Sequence, residues 1–501
     1  MVEPTIYARR RKALAASLAK LGVRDGLVTF PGNRESPINY TDNTYRFRQD
    51  SSFLYFFGIA EPDLAGSLEL GSGRSTLYAD EGSIDDLVWT GPRPSADDWR
   101  AMCAADAVRP RAEFTAAIGE AGRGASGGAG VHFLPPYRAD TAVELGEALG
   151  LKPGLVADMA SVPLIRSVVA LREIKEPGEV EEIGKAVDLS IDLHRVVMRA
   201  ARPGATEAEM MAEAVKAACS GGGMPSFPPI ATTKGAVLHN HGYAGRLEAG
   251  GLFLLDAGAE TAEGYAGDLT STFPVGAPYS DRQRAIYDIV LRAGEAGSSM
   301  MKPGVSFRDI HLAAARVIAA GLKDLGIMKG NLDEAVAAGA HACFFPHGLG
   351  HQMGLDVHDM ESLGEVWVGY DGGERSAQFG LKSLRMAKPL KAGMVMTMEP
   401  GVYFIEGLIA SWESLKLHTA FIDYAEAARW VGLGGVRNEE DWLVTETGAM
   451  RLGKPFDKSV ASMEAYLDGT ISLVRVPSVD QLFGMLPGID THIVREEDRS
   501  L

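Results

Sequence analysis

The feature that most constrains this chain is a series of lone carboxylates set in apolar, strand-like segments. In LLDAGAE, Asp256 closes an apolar run. A strand interior buried on both faces rarely admits an unpaired carboxylate, because its charge loses hydration with nothing in return. Twelve positions later, Asp268 sits among small residues in GYAGDLTSTFPV. Glu263-Gly264 supplies a turn between them, Gly264 tolerating a positive φ, so the two acids can face each other across a hairpin. Glu399 closes MVMTME ahead of Pro400-Gly401, with Thr397 on its face by the period of two. In VRNEEDWLV the same period puts Arg437, Glu439 and Asp441 on one face. Taken singly, each acid also reads as a capping or solvated group at a strand end, and VRNEEDWLV as an edge strand with solvated charges.

The segment PHGLGHQMGLDVHD carries three of the chain's 11 histidines: His347, His351 and His358. His347 and His351 have the spacing of a helical zinc-protease pair. Gly348 and Gly350 oppose a helix, however, and no Glu follows the first His as that motif requires. A looped geometry, with glycines allowing close approach, fits better. A lone histidine is more often structural, whereas three at this spacing point to a site. Asp256, Asp268, His351, Glu399 and Glu439 together make an oxygen-rich set with no thiolate. Such a set favours Mn²⁺, with Co²⁺, Fe²⁺ or Zn²⁺ as alternatives. Four carboxylates can neutralise two divalent ions, and two ions about 3.5–4 Å apart can activate water and polarise a carbonyl.

Around these segments the pattern is α+β. Residues 6–21 read as a helix and 26–30 as a short strand. The aromatic stretch 52–59 reads as a buried strand, and 67–70 with 75–78 as a hairpin about Gly71-Ser72-Gly73. Gly122-x-Gly124-x-x-Gly127 matches a dinucleotide fingerprint, but a helical segment precedes it and a strand follows, the reverse of the required context. It reads as a flexible loop. From residue 174, helical segments (175–201, 206–220, 280–301, 306–325) alternate with strand-like ones (251–257, 266–275, 393–405, 434–447). Helix pairs flanking antiparallel strands are the expectation. The expected division is an α/β domain over 1–168, a second domain over 169–455, and a tail over 456–501 of unknown role with one helix at 459–467.

The 501 residues carry 49 Lys+Arg against 66 Asp+Glu, a formal charge of −17. That balance argues against nucleic acid or anionic lipid as a partner. Cys103, Cys219 and Cys343 are too scattered for a disulfide framework or a thiolate metal site. The first residues read as an amphipathic helix rather than a signal peptide, and no apolar run approaches the ~20 residues of a membrane span. A cytoplasmic protein is the expectation.

In order and spacing, LLDAGAE, GYAGDLTSTFPV, PHGLGHQMGLDVHD, MVMTMEPGVYFI and GGVRNEED resemble the pita-bread-fold metallopeptidases of the aminopeptidase P and prolidase branch. The resemblance covers most of 170–450, and YRFRQDSSFLYFFGIAEPD resembles the family's creatinase-like N-terminal domain. It implies an α+β pita-bread catalytic domain behind an α/β creatinase-like domain. It implies two divalent ions on Asp256, Asp268, His351, Glu399 and Glu439, with Asp268 and Glu439 bridging, Asp256 chelating one ion and Glu399 also the general base. His239, in HNHG, matches a substrate-contacting histidine. His347 and His358 match histidines that hydrogen-bond substrate or shuttle protons, and Arg437 matches an arginine paired near the metals. Arg385 resembles the prolidase arginine that holds a dipeptide's terminal carboxylate. Trp89 resembles a first-domain tryptophan that closes a neighbouring subunit's site in some members, which suggests a homodimer. A surface charge and a core aromatic stand beside these readings of Arg385 and Trp89. Two positions depart from the family: the spacing of Asp256 and Asp268 is one longer than usual, and Ser271 stands where aminopeptidase P members commonly have Arg.

The implied activity is hydrolysis of the N-terminal Xaa-Pro bond of a proline-containing peptide. Aminopeptidase P is the first reading and Xaa-Pro dipeptidase (prolidase) the alternative. Arg385, Ser271 and HNHG lean to the dipeptidase, the N-terminal domain to the aminopeptidase. The proline nitrogen carries no hydrogen, so it must be protonated as the bond breaks, a task for His347 or His358. A metal-free creatinase-like C–N hydrolase or a binding module of the same fold would not need the full ligand set.

Overall fold

Leu27–Pro31 pairs antiparallel with Ala65–Glu69 and parallel with Val131–His132, in a five-stranded sheet completed by Ser75–Tyr78 and Ala107–Arg109. The structure, a computed structural model, describes residues 3–123 and 130–469. The hairpin expected at 67–70 and 75–78 is part of this sheet. The aromatic stretch expected as a strand is instead the helix Ser51–Phe57. Asp50 caps it by accepting from the Phe53 N–H, and Gly58 ends it in the left-handed conformation. All seven of its residues are buried, so no polar face marks a helical period; the two caps are the readable signal. Of the dinucleotide-like glycines, Gly122 lies in the helix Glu113–Arg123, whereas Gly124 and Gly127 lie outside the described residues.

The larger part of the chain is built from two similar halves. Helices Pro177–Ala200 and Glu207–Ser220 pack together beside the sheet of Ile230–Thr232, Leu252–Asp256 and Thr270–Pro274. Helices Asp281–Met300 and Phe307–Asp324 pack together beside Val395–Met398, Glu440–Val444 and Ala449–Arg451. Capping boxes start three of these helices, Glu176 with Glu179, Thr206 with Glu209 and Ser280 with Gln283.

The continuous strands expected over 393–405 and 434–447 are each broken. Glu399-Pro400 separates Val395–Met398 from Gly401–Tyr403, and Asn438-Glu439 separates Gly435–Arg437 from Glu440–Val444. Pairing resumes in the same register beyond the break, Met398 facing Glu440 and Gly401 facing Arg437, so Glu399 and Glu439 fall opposite each other. Their N–H groups point outward from the pair: Glu399 donates to Leu349 O at 2.8 Å and Glu439 to Thr270 O at 3.1 Å. These two bonds tie both sheets and the histidine segment together.

Buried charge joins the N-terminal part to the rest. Arg172, at the end of the helix Val162–Arg172, donates to Ser52 Oγ (3.0 Å), Asp356 Oδ2 (2.9 Å) and Asp359 Oδ1 (2.6 Å), and Lys175 Nζ reaches Asp359 Oδ2 at 3.0 Å. The aromatic helix is thereby fastened to the histidine segment. The division expected at 168 falls inside this connecting helix. That expected at 455 falls inside continuous packing, because Phe456 is buried and Val460, Met463 and Tyr466 of the helix Val460–Leu467 join the same core. The rest of the expected tail, 470–501, lies outside the described residues.

Burial alone would raise the Asp359 carboxyl, but Arg172 and Lys175 outweigh it and hold it below the ordinary aspartate value. Arg172→Met removes the main partner of a buried charge and should cost about 3–5 kcal/mol, measured by urea unfolding at neutral pH. The folded value is the lower one, so this contribution is complete above about pH 4 and is lost as pH falls through the folded value. The stability gap between wild type and variant should therefore narrow in acid.

Candidate metal centre

Asp256, Asp268, His351, Glu399 and Glu439 all line one cavity of about 580 Å³. Asp256 ends its strand opposite Thr270, so Asp268 sits diagonally from it on the same face rather than directly opposite. The turn between them closes by Thr261 N–H donating to Tyr265 O at 2.9 Å, with Gly264 at φ +86°. Asp268 N–H donates to Asp441 Oδ2 at 3.0 Å. The histidine segment packs on the strand Val395–Met398, and a Cβ on Gly350 would stand 2.1 Å from Thr397 O, which is why glycine is required there. His351 N–H donates to Thr397 Oγ1 at 3.1 Å. Its Nδ1 lies 3.1 Å from Gln352 O and so carries the proton. That leaves the Nε2 lone pair facing Asp268 Oδ2 at 3.5 Å and Glu399 Oε1 at 3.7 Å. Ligand atoms of Asp268, His351 and Glu439 lie within 4.8 Å of one another.

A hydrogen-bonded frame holds these groups. Glu439 Oε2 accepts from Thr270 Oγ1 at 2.8 Å. Arg437, buried at 3% exposure, donates to Asp256 Oδ2 at 2.5 Å, to Tyr403 OH at 2.7 Å and to Thr270 Oγ1 at 3.2 Å. Tyr403 OH meets His347 Nε2 at 2.9 Å, while His347 Nδ1 lies 2.8 Å from Gly348 O and 3.7 Å from Glu399 Oε2. His358 Nδ1 meets Glu361 Oε2 at 2.8 Å, and Arg385 donates to Glu361.

Burial, then the charges of Glu439, Asp256, Asp441 and Glu399, push the Asp268 carboxyl well above the carboxylate range. Burial, then Glu399 and Asp256, do the same to Glu439. Burial pushes Glu399 up to about 8, Asp256 adding to it and Arg437 opposing. Burial and then Arg437 lower His347 to about 3, and burial and then His358 lower His351 well below the ordinary imidazole value. Asp268 Oδ1 is buried without a hydrogen-bond partner among the described residues. A neutral imidazole among acids that repel one another, one oxygen left orphaned, is a donor set that fits a divalent cation.

The remaining expected site residues divide. His239, His347, His358, Arg385 and Arg437 line the same cavity. Trp89 does not: it is 83% exposed on the helix Ile84–Trp89, and so is no core aromatic either. Arg385 is no free surface charge, being tied to Glu361 and lying 3.4 Å from Glu365 Oε1. The solvated-edge alternative for VRNEEDWLV fails, since Arg437, Glu439 and Asp441 are all buried. Ser271 faces away from the acids, bonded to buried His194 Nδ1 at 2.9 Å, so its departure from the family pattern leaves the cavity unchanged.

Residues unassigned from sequence also belong here. Tyr403 follows Glu399 by four on the same face of the interrupted strand, and the period of two would have flagged it. Lys458, buried and donating to Thr270 O (2.9 Å) and Glu439 O (2.5 Å), lies past the expected domain end and has no local signal.

Residues 181–446 match metallopeptidase family M24, and residues 7–127 match the aminopeptidase P N-terminal domain. Human Xaa-Pro dipeptidase is 32% identical over 477 residues, 93% of each chain. A probable Xaa-Pro aminopeptidase of Emericella nidulans is 32% identical over 436 residues, 86% of each chain. Among solved structures, Pseudomonas aeruginosa aminopeptidase PepP superposes with a TM-score of 0.76 at 28% identity, covering 94% of this chain and 100% of that one. An Escherichia coli aminopeptidase P variant in complex with substrate gives 0.75 at 27% identity, covering 94% and 99%. The chain belongs to metallopeptidase family M24. Its catalytic part has the family's pita-bread fold behind an aminopeptidase P-type N-terminal domain, and it is a divalent-metal peptidase.

Repulsion in the cluster sets an expected outcome. Mn²⁺ added to chelator-treated protein should raise its thermal midpoint, by about 2.7 kcal/mol of stability at a hundredfold excess over Kd. Asp268→Asn should remove that shift and leave the metal-free protein at least as stable as metal-free wild type, as calorimetry would show.

Proposed function

We propose that the chain is an Xaa-Pro aminopeptidase working with two divalent ions, Mn²⁺ first and Co²⁺, Fe²⁺ or Zn²⁺ as alternatives. The observation that carries this reading is the convergence of four carboxylates and one imidazole in a single cavity of an M24 chain. Asp256, Asp268, His351, Glu399 and Glu439 would hold the ions. Ions held there supply Lewis acidity at the scissile carbonyl and make water more acidic. A Zn-substituted Escherichia coli aminopeptidase P in complex with product is among the structural relatives and supports a site open to more than one metal.

The chain's own residues then divide the work. Glu399 accepts the proton of the attacking water. Both His347 nitrogens are engaged, by Tyr403 and Gly348, which fixes its ring on the cavity wall and leaves neither nitrogen free to relay a proton. His358 has its Nδ1 proton on the Glu361 carboxylate, and its Nε2 has no protein partner among the described residues. It is therefore the better group to deliver a proton to the proline nitrogen. Arg437 orients Asp256, His239 contacts substrate at the mouth, and the acidic cavity suits a free α-amine. Replacing Glu399 by Ala should lower turnover of an Xaa-Pro-Yaa tripeptide by about a hundred- to ten-thousandfold. Full metal-dependent turnover in that variant and in Asp268→Ala would sink the assignment.

The second reading, Xaa-Pro dipeptidase, is favoured by Arg385 on the cavity wall and by the human relative. Comparing an Xaa-Pro dipeptide with an Xaa-Pro-Yaa tripeptide separates the two. The homodimer expectation draws support from the helix Ile84–Trp89, where Ile84, Leu87, Val88 and Trp89 are all exposed. Trp89→Glu should shift sedimentation from dimer to monomer, and a wild type that already sediments as a monomer would remove this reading.

A further inference from the structure

The wall of the metal cavity carries charge that this chemistry leaves unused. A second cavity, about 460 Å³, opens where the N-terminal part meets the catalytic part, with Arg46, Tyr137, Ser226 and Glu361 on its lining. It shares Val357 and His358 with the metal cavity. Arg385 lines the metal cavity, Glu361 lines the second, and the two side chains are joined across the wall. Glu365 lies 3.4 Å from Arg385 Nη1 and also pairs with Arg375. Two guanidiniums are thus matched by two carboxylates, and the charge of Arg385 is cancelled where it stands. A dipeptide ending in proline carries its carboxylate close to the scissile bond. To use Arg385 that carboxylate must displace Glu361. A longer peptide has a neutral carbonyl at the same position and asks nothing of Arg385.

We propose that Glu361 is a specificity-determining residue: by neutralising Arg385 it disfavours Xaa-Pro dipeptides against longer Xaa-Pro peptides, whose further residues have room in the second cavity. The inference rests on the Xaa-Pro peptidase reading above. Glu361 also receives the His358 Nδ1 proton, so its loss can slow every substrate; the ratio between two substrates is the informative readout. The test measures kcat and KM of the metal-loaded enzyme on an Xaa-Pro dipeptide and on the matching Xaa-Pro-Yaa tripeptide. Glu361→Gln should raise the dipeptide-to-tripeptide ratio of kcat/KM by about tenfold, the scale of one charge-assisted hydrogen bond, mainly through the dipeptide's KM. Adding Arg385→Ala to that variant should abolish the rise. An unchanged or lower ratio, or a rise that persists without Arg385, overturns the proposal while leaving the peptidase reading intact. A metal-loaded wild type inactive on both peptides overturns the peptidase reading, and this inference with it.

Discussion

Asp256, Asp268, Glu399 and Glu439 reach one cavity with the Arg437 guanidinium against them, and the surrounding structure keeps them there against their own repulsion. Two like charges about 4 Å apart repel by roughly 4 kcal/mol at the effective dielectric of a protein site. Side-chain preference does not hold four such groups together. Backbone does: Glu399 and Glu439 are placed by N–H bonds to Leu349 and Thr270, and Asp268 by its N–H bond to Asp441. A divalent cation bound among them would offset that repulsion, so metal binding would add to the stability of this region.

That requirement explains the two-half construction. Each half brings one helix pair, one short sheet and two of the acids, and the sheets meet where their strands break. Glu399 and Glu439 form a pair whose N–H groups point away from each other, so one N–H is directed to the histidine segment and the other to the first half. The N-terminal part acts from behind, through Arg172 and Ser51 on Asp356 and through Arg172 on Asp359, steadying the loop that presents His351 and His358.

Much of the site was legible in the sequence because its signals are local. An acid closing an apolar strand, glycines flanking a histidine and a capping box each require only neighbours to be read. Where the reading failed, the deciding contact was distant. The helix Ser51–Phe57 is buried on every side by other elements, so its apolar run looked like a strand. Asp256 and Asp268 were expected to face each other directly, but the register pairs Asp256 with Thr270 and places Asp268 two positions further along. Lys458 reaches Glu439 O from beyond the expected domain end, and Glu361 gains meaning only because Arg385, 24 positions on, folds back to it.

The sequence by itself determined the chemistry of the candidate ligands and their order: hard oxygen donors, one imidazole, no thiolate, with the acids in or at the ends of apolar runs that mark them as core. Side-chain identity and short-range periodicity are properties of the chain alone. Only the tertiary structure decided how those ligands face each other, which of them is held by Arg437, and that Arg385 is already paired. Those are matters of distance between segments far apart in the chain, set by sheet register and by burial that no local pattern records.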